Sequence, residues 1–356
     1  MLRIDNASSG FLNANAVANT PVFRDNSILG WSNNGNINNN VLEHLTSYLN
    51  SGFNRGNPGP YEIHPYIIRE IASFDLNRKY LVLGTFPPNS YMHNLPAIAP
   101  LATLNNYIST PPNVDFFYGN LASFWNLIGT PGPLNKINII RYLAQNDISI
   151  SDVILGAQRN KNNSTADSDL FNILPNLDLR NIFDNSSKVE TILFTSGSLR
   201  NVRFYANGLF NINEVTTLNY FLKILLLSGF QIEISGQTDG NGLFHPFNNL
   251  GVQSSILQQA GHIIWWIKFG NKKMRIINLP SPAGQSNLQI PNAVFFKRWV
   301  NWKCTENDIP PPPINANLLA GFLPDFPTIF TPPYTKQYKS EIYNLALNNL
   351  AALQVI

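Results

Sequence analysis

Cysteine is almost absent from this sequence, since Cys304 is the single one among 356 residues. One thiol excludes an internal disulfide and a zinc site built on cysteines, and it suits a reducing compartment. We expect it to act as a small apolar side chain in the core. The five histidines show no metal-ligand spacing, so we expect no metal site. Among them, His245 beside Pro246 is the one expected near a pocket.

Charge and long apolar runs are also scarce. Charged residues make up 13% of the chain and the net charge is +3, so contacts with phosphates cannot depend on a dense basic surface. The longest apolar stretch, around Phe221 to Leu227, is far shorter than the ~20 residues of a membrane span. No signal-peptide pattern opens the sequence. We therefore expect a cytoplasmic protein without membrane contact.

Apolar residues are plentiful, at 44%, and they are arranged in a pattern. From Tyr80 onward, short apolar runs such as YLVLG, VETILFT and RIINLP alternate with helical patterns. Such alternation predicts a mostly parallel sheet with helices on both faces. The predicted fold class is α/β, a three-layer αβα sandwich around four to five mostly parallel strands, with N- and C-terminal helical extensions.

Three regions are predicted along the chain. Residues 1–75 form an N-terminal extension with an Asn-rich tract and helical patterns from Val41 and over Tyr66 to Phe74. Residues 76–303 form the α/β domain, with an insertion at about 198–274. Residues 304–356 contain a proline-rich linker and a C-terminal helix over Ser340 to Leu353. Residues 1–75 are also a possible surface for a protein partner.

Five segments follow or end predicted strands, where open α/β sheets bind ligands. Each is also compatible with a purely structural loop. In chain order they are GTFPP at Gly84 to Pro88, DFFYGNLASFW at Asp115 to Trp125, ISDVILGAQRNKNNSTADSDL at Ile150 to Leu170, LFTSG at Leu193 to Gly197, and RIINLPSPAGQSN ending at Asn287.

In order and spacing these segments resemble the motifs of the uracil-DNA glycosylase superfamily, most closely its hypoxanthine-DNA-glycosylase and mismatch-specific branches. GTFPP is similar to the water-activating motif, and FFYGNLASFW to the segment that combines aromatics with an FW pair. ISDV with the S-x-x-D-S pattern at Ser164, Asp167 and Ser168 resembles the hypoxanthine-type branch, and LPSPAGQSN resembles the loop that presses the minor groove. The resemblance covers Tyr80 to about Trp302 without the insertion.

The resemblance implies a DNA glycosylase. Such an enzyme flips a deaminated or modified base out of DNA and hydrolyses its N-glycosidic bond without a cofactor, which leaves an abasic site. The biological context would be DNA repair or the removal of modified bases from foreign or phage DNA. The alternative is a weak or inactive glycosylase-like module that binds DNA or a nucleotide without cutting it.

The resemblance also implies roles for individual residues. The implied base-binding residues are Gly84, Thr85, Phe86, Pro87, Phe117 and Ser196. The implied DNA-binding residues are Arg159, Pro280, Ser281, Pro282, Gln285 and Ser286, although Arg159 is also compatible with a solvated loop. Phe117 aligns with the aromatic that stacks on the base, and its alternative role is a core aromatic.

The sequence departs from these relatives at the catalytic positions. Thr85 and Phe86 stand where other branches have an acidic or amide side chain, and Ala122 stands where the hypoxanthine-type branch has Asn. The candidate catalytic residues are therefore Asn120, Asp115 and Asp152. Asn120 is the first choice for holding water, although a helix cap explains it equally well. Leu279 replaces the His of the most active uracil enzymes, which implies a weaker catalyst or a better leaving group.

Overall fold

The structure is a computed structural model. It describes residues 2–4, 61–64, 66, 74–88, 91, 93–95, 124–130, 133–160, 167–183, 185–195, 204–205, 217–227, 232–234, 236–238, 240, 243–246, 264–269, 272–282, 294–312 and 327–348.

Fourteen strands lie within these ranges, and we number them in chain order. They are β1 Leu2–Ile4, β2 Tyr61–Ile63, β3 Tyr80–Gly84, β4 His93–Leu95, β5 Ile148–Asp152, β6 Ile154–Arg159, β7 Leu170–Pro175, β8 Thr191–Phe194, β9 Phe204–Tyr205, β10 Ile232–Ile234, β11 Gly236–Thr238, β12 Leu243–Pro246, β13 Ile264–Phe269 and β14 Lys272–Asn278.

The same ranges contain five α-helices and two 3₁₀ segments. The helices are α1 Phe124–Leu127, α2 Lys136–Gln145, α3 Thr217–Leu227, α4 Val294–Glu306 and α5 Tyr334–Asn348. The 3₁₀ segments are Asp167–Asp169 and Leu177–Phe183. None of the described helices is long and apolar enough to cross a membrane.

The central sheet has the strand order β1-β10-β13-β14-β8-β3-β5. Its four adjacent strands β14, β8, β3 and β5 are mutually parallel. Strands β3, β5 and β8 are almost wholly buried, as expected of parallel strands covered on both faces. The predicted α/β class with a mostly parallel sheet is thereby confirmed at this level.

The sheet is wider than the predicted four to five strands. Strands β13 and β14 are antiparallel, with Phe269 opposite Lys272, because the two residues between them are too few for a parallel crossover. Strands β10 and β1 then add further antiparallel pairs at that side. Two consecutive apolar runs therefore form a hairpin here rather than two parallel strands.

A second sheet, of order β4-β2-β6-β7, begins where the central sheet ends. Only Val153 separates β5 from β6, so the chain passes directly from one sheet into the other. Strand β2 pairs with β6 with Ile63 opposite Gly156, and the amide of His64 donates to the carbonyl of Leu155 at 2.7 Å. The described part of residues 1–75 thus joins both sheets through β1 and β2. The helical pattern from Val41, and that after Tyr66, lie outside the described residues.

Aromatic side chains from helices α1, α4 and α5 form much of the core. Trp299 of α4 contacts Tyr338 of α5 edge-on with ring centroids 5.4 Å apart, and Phe124 of α1 contacts Tyr343 of α5 at 5.8 Å. Cys304 is buried in this core. The helix predicted from Ser340 begins earlier, at Tyr334, because the buried faces of Tyr334 and Tyr338 extend its apolar side by one turn and more.

Candidate functional site

The carboxyl ends of the four parallel strands lie along one edge of the central sheet. Gly84 of β3 pairs with Asp152 of β5, and Leu83 of β3 pairs with Phe194 of β8. The amide of Val153 donates to the carbonyl of Gly84 at 3.0 Å, and that of Leu279 to Phe194 at 2.8 Å. Four of the predicted segments, from different parts of the chain, therefore meet along this edge.

Five polar side chains at or beside this edge form what we call the strand-end cluster. They are His64, Thr85, Asp152, Asp167 and Thr217. Strands β3 and β5 are buried through their last residues, so their polar neighbours are also largely enclosed. Buried polar groups require partners, and the cluster supplies most of them internally.

A hydrogen bond between His64 and Asp152 is the most deeply enclosed contact of the cluster. Nε2 of His64 lies 3.0 Å from Oδ2 of Asp152, and the two side chains are 0% and 1% exposed. The amide of Tyr66 donates to Nδ1 of His64 at 3.3 Å. Because Nδ1 is therefore an acceptor, the ring proton on Nε2 is the one that His64 donates to Asp152.

Two buried oxygen atoms beside this pair lack hydrogen-bond partners among the described residues. They are Oδ1 of Asp152 and Oδ1 of Asn176. The Asn176 side chain instead donates from Nδ2 to the backbone carbonyl of Asp152 at 2.9 Å and to Ser151 Oγ at 3.1 Å. A buried acceptor without a donor costs about 1–3 kcal/mol, so the edge has unused capacity to accept hydrogen bonds.

Asp167 is the carboxyl of the cluster that reaches solvent. Burial, together with the negative charge of Asp152, raises the pKa of Asp167 from 3.8 to about 6, against the opposing effects of a hydrogen bond from Thr85 and the charge of Arg159. Asp167 as a residue is nevertheless partly exposed, whereas Asp152 is buried. Thr85 Oγ1 also lies 2.8 Å from Thr217 Oγ1. Since Thr85 has one hydroxyl proton to give to an ionised Asp167, Thr217 donates to Thr85.

Arg159, which was predicted to contact DNA, is buried inside the protein. Its Nε donates to Glu62 Oε2 at 2.9 Å, and the two side chains are 3% and 2% exposed. Its Nη2 donates to the carbonyl of Pro87 at 2.7 Å, and its guanidinium lies over the ring of Phe86. The guanidinium therefore holds the Gly84–Pro88 turn in place, and it is not on a surface where a phosphate could reach it.

No family model, no curated protein and no solved structure matches this chain.

The strand-end cluster combines a partly exposed carboxyl, two hydroxyls and an enclosed His–Asp pair, a set suited to proton transfer. In the described ranges, no group of three or more His, Cys, Asp or Glu side chains is arranged to hold a metal ion.

The predicted proline–serine loop begins at the same edge, beyond β14. Pro280 is buried, and Ser281 and Pro282 are partly exposed. The hydroxyl of Tyr343 in α5 donates to the carbonyl of Pro280 at 2.8 Å, which fixes the start of this loop to the C-terminal helix.

The remaining predicted site residues divide into two groups. Phe86 and Pro87 belong to the turn, but Phe86 is buried, with His64 against its edge and Arg159 over its face. Six predicted residues lie outside the described part of the chain, namely Asp115, Phe117, Asn120, Ser196, Gln285 and Ser286.

The sequence did not indicate that four residues belong to the site or contact it. They are His64, Glu62, Thr217 and Asp167. Glu62 lies in β2 and His64 follows directly after it, and their spacing of two residues is that of side chains on one face of an extended segment. A pair of ionisable residues at this spacing, in a chain with 13% charged residues, was the available signal. Asp167 was noticed within a motif but without a chemical role.

Proposed function

We propose that the protein is a DNA glycosylase that flips out a deaminated or modified base and hydrolyses its N-glycosidic bond. One observation carries the proposal: the GTFPP turn and the proline–serine loop begin at the same edge of the central sheet at which the strand carrying Asp152 ends. In open α/β sheets this edge binds the ligand. The same three segments carry the resemblance to the uracil-DNA glycosylase superfamily.

The polar groups at this edge suit the charges of glycosidic cleavage. Negative charge develops on the departing base and positive charge on the sugar. Backbone amides of the turn after Gly84 would donate to the base, and the negative charge of Asp152 and Asp167 would stabilise the sugar cation. No metal or organic cofactor takes part in this reaction.

The fold would be a three-layer αβα sandwich in a cytoplasmic protein, and DNA would lie across the carboxyl edge of the sheet. Phe117 would stack on the flipped base, Ser196 would read its edge, and Gln285 would enter the gap in the duplex. Substrates would be uracil or hypoxanthine in repair, or a bulky modified base of foreign DNA.

The direct test is a panel of oligonucleotides carrying uracil, hypoxanthine, xanthine, hydroxymethylated or glucosylated bases. Each is incubated with the protein and then with alkali, which cleaves the strand at abasic sites. We expect strand cleavage for at least one base. Asp152→Asn should lower this activity, whereas Asp147→Asn, a matched change directly before the opposite end of β5, should not. A folded protein that cleaves none of the panel would contradict the proposal.

A second candidate is a glycosylase-like module that binds DNA or a nucleotide without cutting it. The enclosure of His64 and Asp152 favours it, because a fully buried pair can serve stability alone. Tight binding of the modified oligonucleotides without alkali-sensitive sites would support this candidate. A stable complex with another protein during purification would instead indicate that residues 1–75 bind a partner.

A further inference from the structure

The Gly84–Pro88 turn contains no acidic or amide side chain, yet a carboxyl from elsewhere in the chain meets it. Asp167 lies at the start of the 3₁₀ segment before β7, and its side chain is hydrogen-bonded to Thr85 of the turn. We infer that Asp167 is the catalytic carboxylate, which activates the water that attacks the sugar. This inference rests on the proposed glycosylase function.

The orientation of Asp167 is set by a short chain of hydroxyls. Thr85 donates to Asp167, and Thr85 is held in turn by Thr217, the buried first residue of α3, at 2.8 Å. The position of Thr85 is fixed by the sheet, because its carbonyl accepts from the amide of Ile154 at 3.1 Å. A carboxylate positioned in this way supplies what the turn itself lacks.

Exposure distinguishes Asp167 from Asp152, the carboxyl selected from the sequence. Asp152 is 1% exposed, and one of its oxygens is occupied by His64. Asp167 is partly exposed and can contact a water molecule. Asp152 then serves as a positioning residue, whose charge acts on Asp167 from the end of β5.

The charges around Asp167 suit a general base. The facing groups are Asp152 of β5, Arg159 of β6 and the Thr85 hydroxyl; behind them, His64 is bonded to Asp152 and Glu62 to Arg159. Burial and the negative charge of Asp152 raise the pKa of Asp167, whereas the hydrogen bond from Thr85 and the positive charge of Arg159 lower it. The first two effects are larger, and the pKa is raised to about 6. Such a carboxyl is mostly ionised at neutral pH and is a stronger base than an ordinary Asp.

The step is a simple hydrolysis. The water oxygen forms a bond to C1′ of the deoxyribose while Asp167 takes a proton from that water. The bond between C1′ and the base nitrogen breaks, and its electron pair leaves with the base. The base takes up a proton from solvent, and Asp167 returns its proton to solvent. The products are the free base and an abasic sugar.

The test measures single-turnover cleavage of whichever panel base the wild type removes. Asp167→Asn should slow cleavage by about 100-fold or more, the usual effect of losing a general base, while DNA affinity stays within about threefold. The wild-type rate should rise about tenfold per pH unit below about pH 6 and level off above it, and Asp167→Asn should lose this dependence. Asp167→Glu should recover part of the rate. Asp147→Asn is the matched control and should keep the wild-type rate.

The outcomes separate the inference from the function it rests on. If the wild type cleaves and Asp167→Asn is as fast within about threefold, Asp167 is not the catalytic base and the glycosylase function stands. If the wild type cleaves no base, both are overturned. If Asp167→Asn fails to fold, Thr85→Val decides, because it removes the hydrogen bonds of the Thr85 hydroxyl with Asp167 and Thr217 but changes no charge. An unchanged rate and pH profile in Thr85→Val would overturn the inference.

Discussion

Replacing Asp167 by Asn should stabilise the protein, and the gain should depend on pH. A pKa raised in the folded state means that folding favours the protonated carboxyl. The Asp167 carboxyl therefore stabilises the folded protein fully at pH values below about 4, its pKa in the unfolded chain. This stabilisation is lost as the pH rises through about 6, its pKa in the folded protein. Asn cannot ionise, so the variant should avoid this loss while still accepting a hydrogen bond from Thr85.

The expected gain in the free energy of unfolding follows from the shift in the pKa of Asp167. A rise from 3.8 to about 6 corresponds to about 3 kcal/mol, at about 1.4 kcal/mol per pKa unit. Because the side chain of Asp167 is partly exposed, solvent screens its charge, and we expect about 1–2 kcal/mol. The gain should grow between about pH 4 and about pH 6 and be constant above about pH 7.

Urea unfolding followed by tryptophan fluorescence measures this gain, with wild type and variant compared from about pH 4.5 to about pH 8. Asp147→Asn provides the background effect of a carboxyl-to-amide change at the opposite edge of the sheet. It suits this use because Asp147 has a φ of 60°, which Asn tolerates well. If the free energies of unfolding of Asp167→Asn and wild type differ by the same amount at all pH values, the pKa of Asp167 is not raised in the folded protein and the prediction is wrong.

Three further predictions concern stability measured by the same unfolding assay. Arg159→Met and Glu62→Gln should each cost about 3–5 kcal/mol, because each removes one member of a buried ion pair. The double variant should cost less than the sum of the two single variants, and additive costs would show that the two side chains are not coupled. Tyr343→Phe removes the hydrogen bond to Pro280 and should cost about 1 kcal/mol, so an unchanged stability would mean that water replaces it. Ile342→Ala leaves a cavity in the aromatic core and should cost about 2–5 kcal/mol, whereas a loss below about 1 kcal/mol would indicate a loosely packed helix α5.

The parallel part of the sheet could be predicted because each of its strands is recognisable from a short stretch of sequence. Buried strands such as YLVLG and TILF are continuous apolar runs, and parallel pairing follows from the helical patterns between them. The antiparallel side could not be predicted as readily. The pairing of β1 with β10 joins Leu2–Ile4 to a segment more than two hundred residues later, and no local pattern encodes it.

The site was predictable to the extent that it follows directly from strand ends. Gly84 and Asp152 were selected because they end apolar runs, and the sheet places them opposite each other. His64 was passed over because it reaches Asp152 only through the pairing of β2 with β6, a tertiary contact. Arg159 was assigned to DNA because a basic residue beside a polar stretch resembles a surface residue, and its partner Glu62 lies 97 positions away.

The separations along the chain within the strand-end cluster bear on how the protein folds. His64 and Asp152 are 88 residues apart, and Thr85 and Thr217 are 132 apart. Contacts of this range form only after large loops have closed, which makes folding slow. At a synthesis rate of about 5–20 residues per second, Thr217 is added roughly 7 to 26 seconds after Thr85. A chain with a misaligned sheet would carry no assembled cluster, so, for the proposed glycosylase, preparations containing such chains would show a smaller active fraction with an unchanged KM.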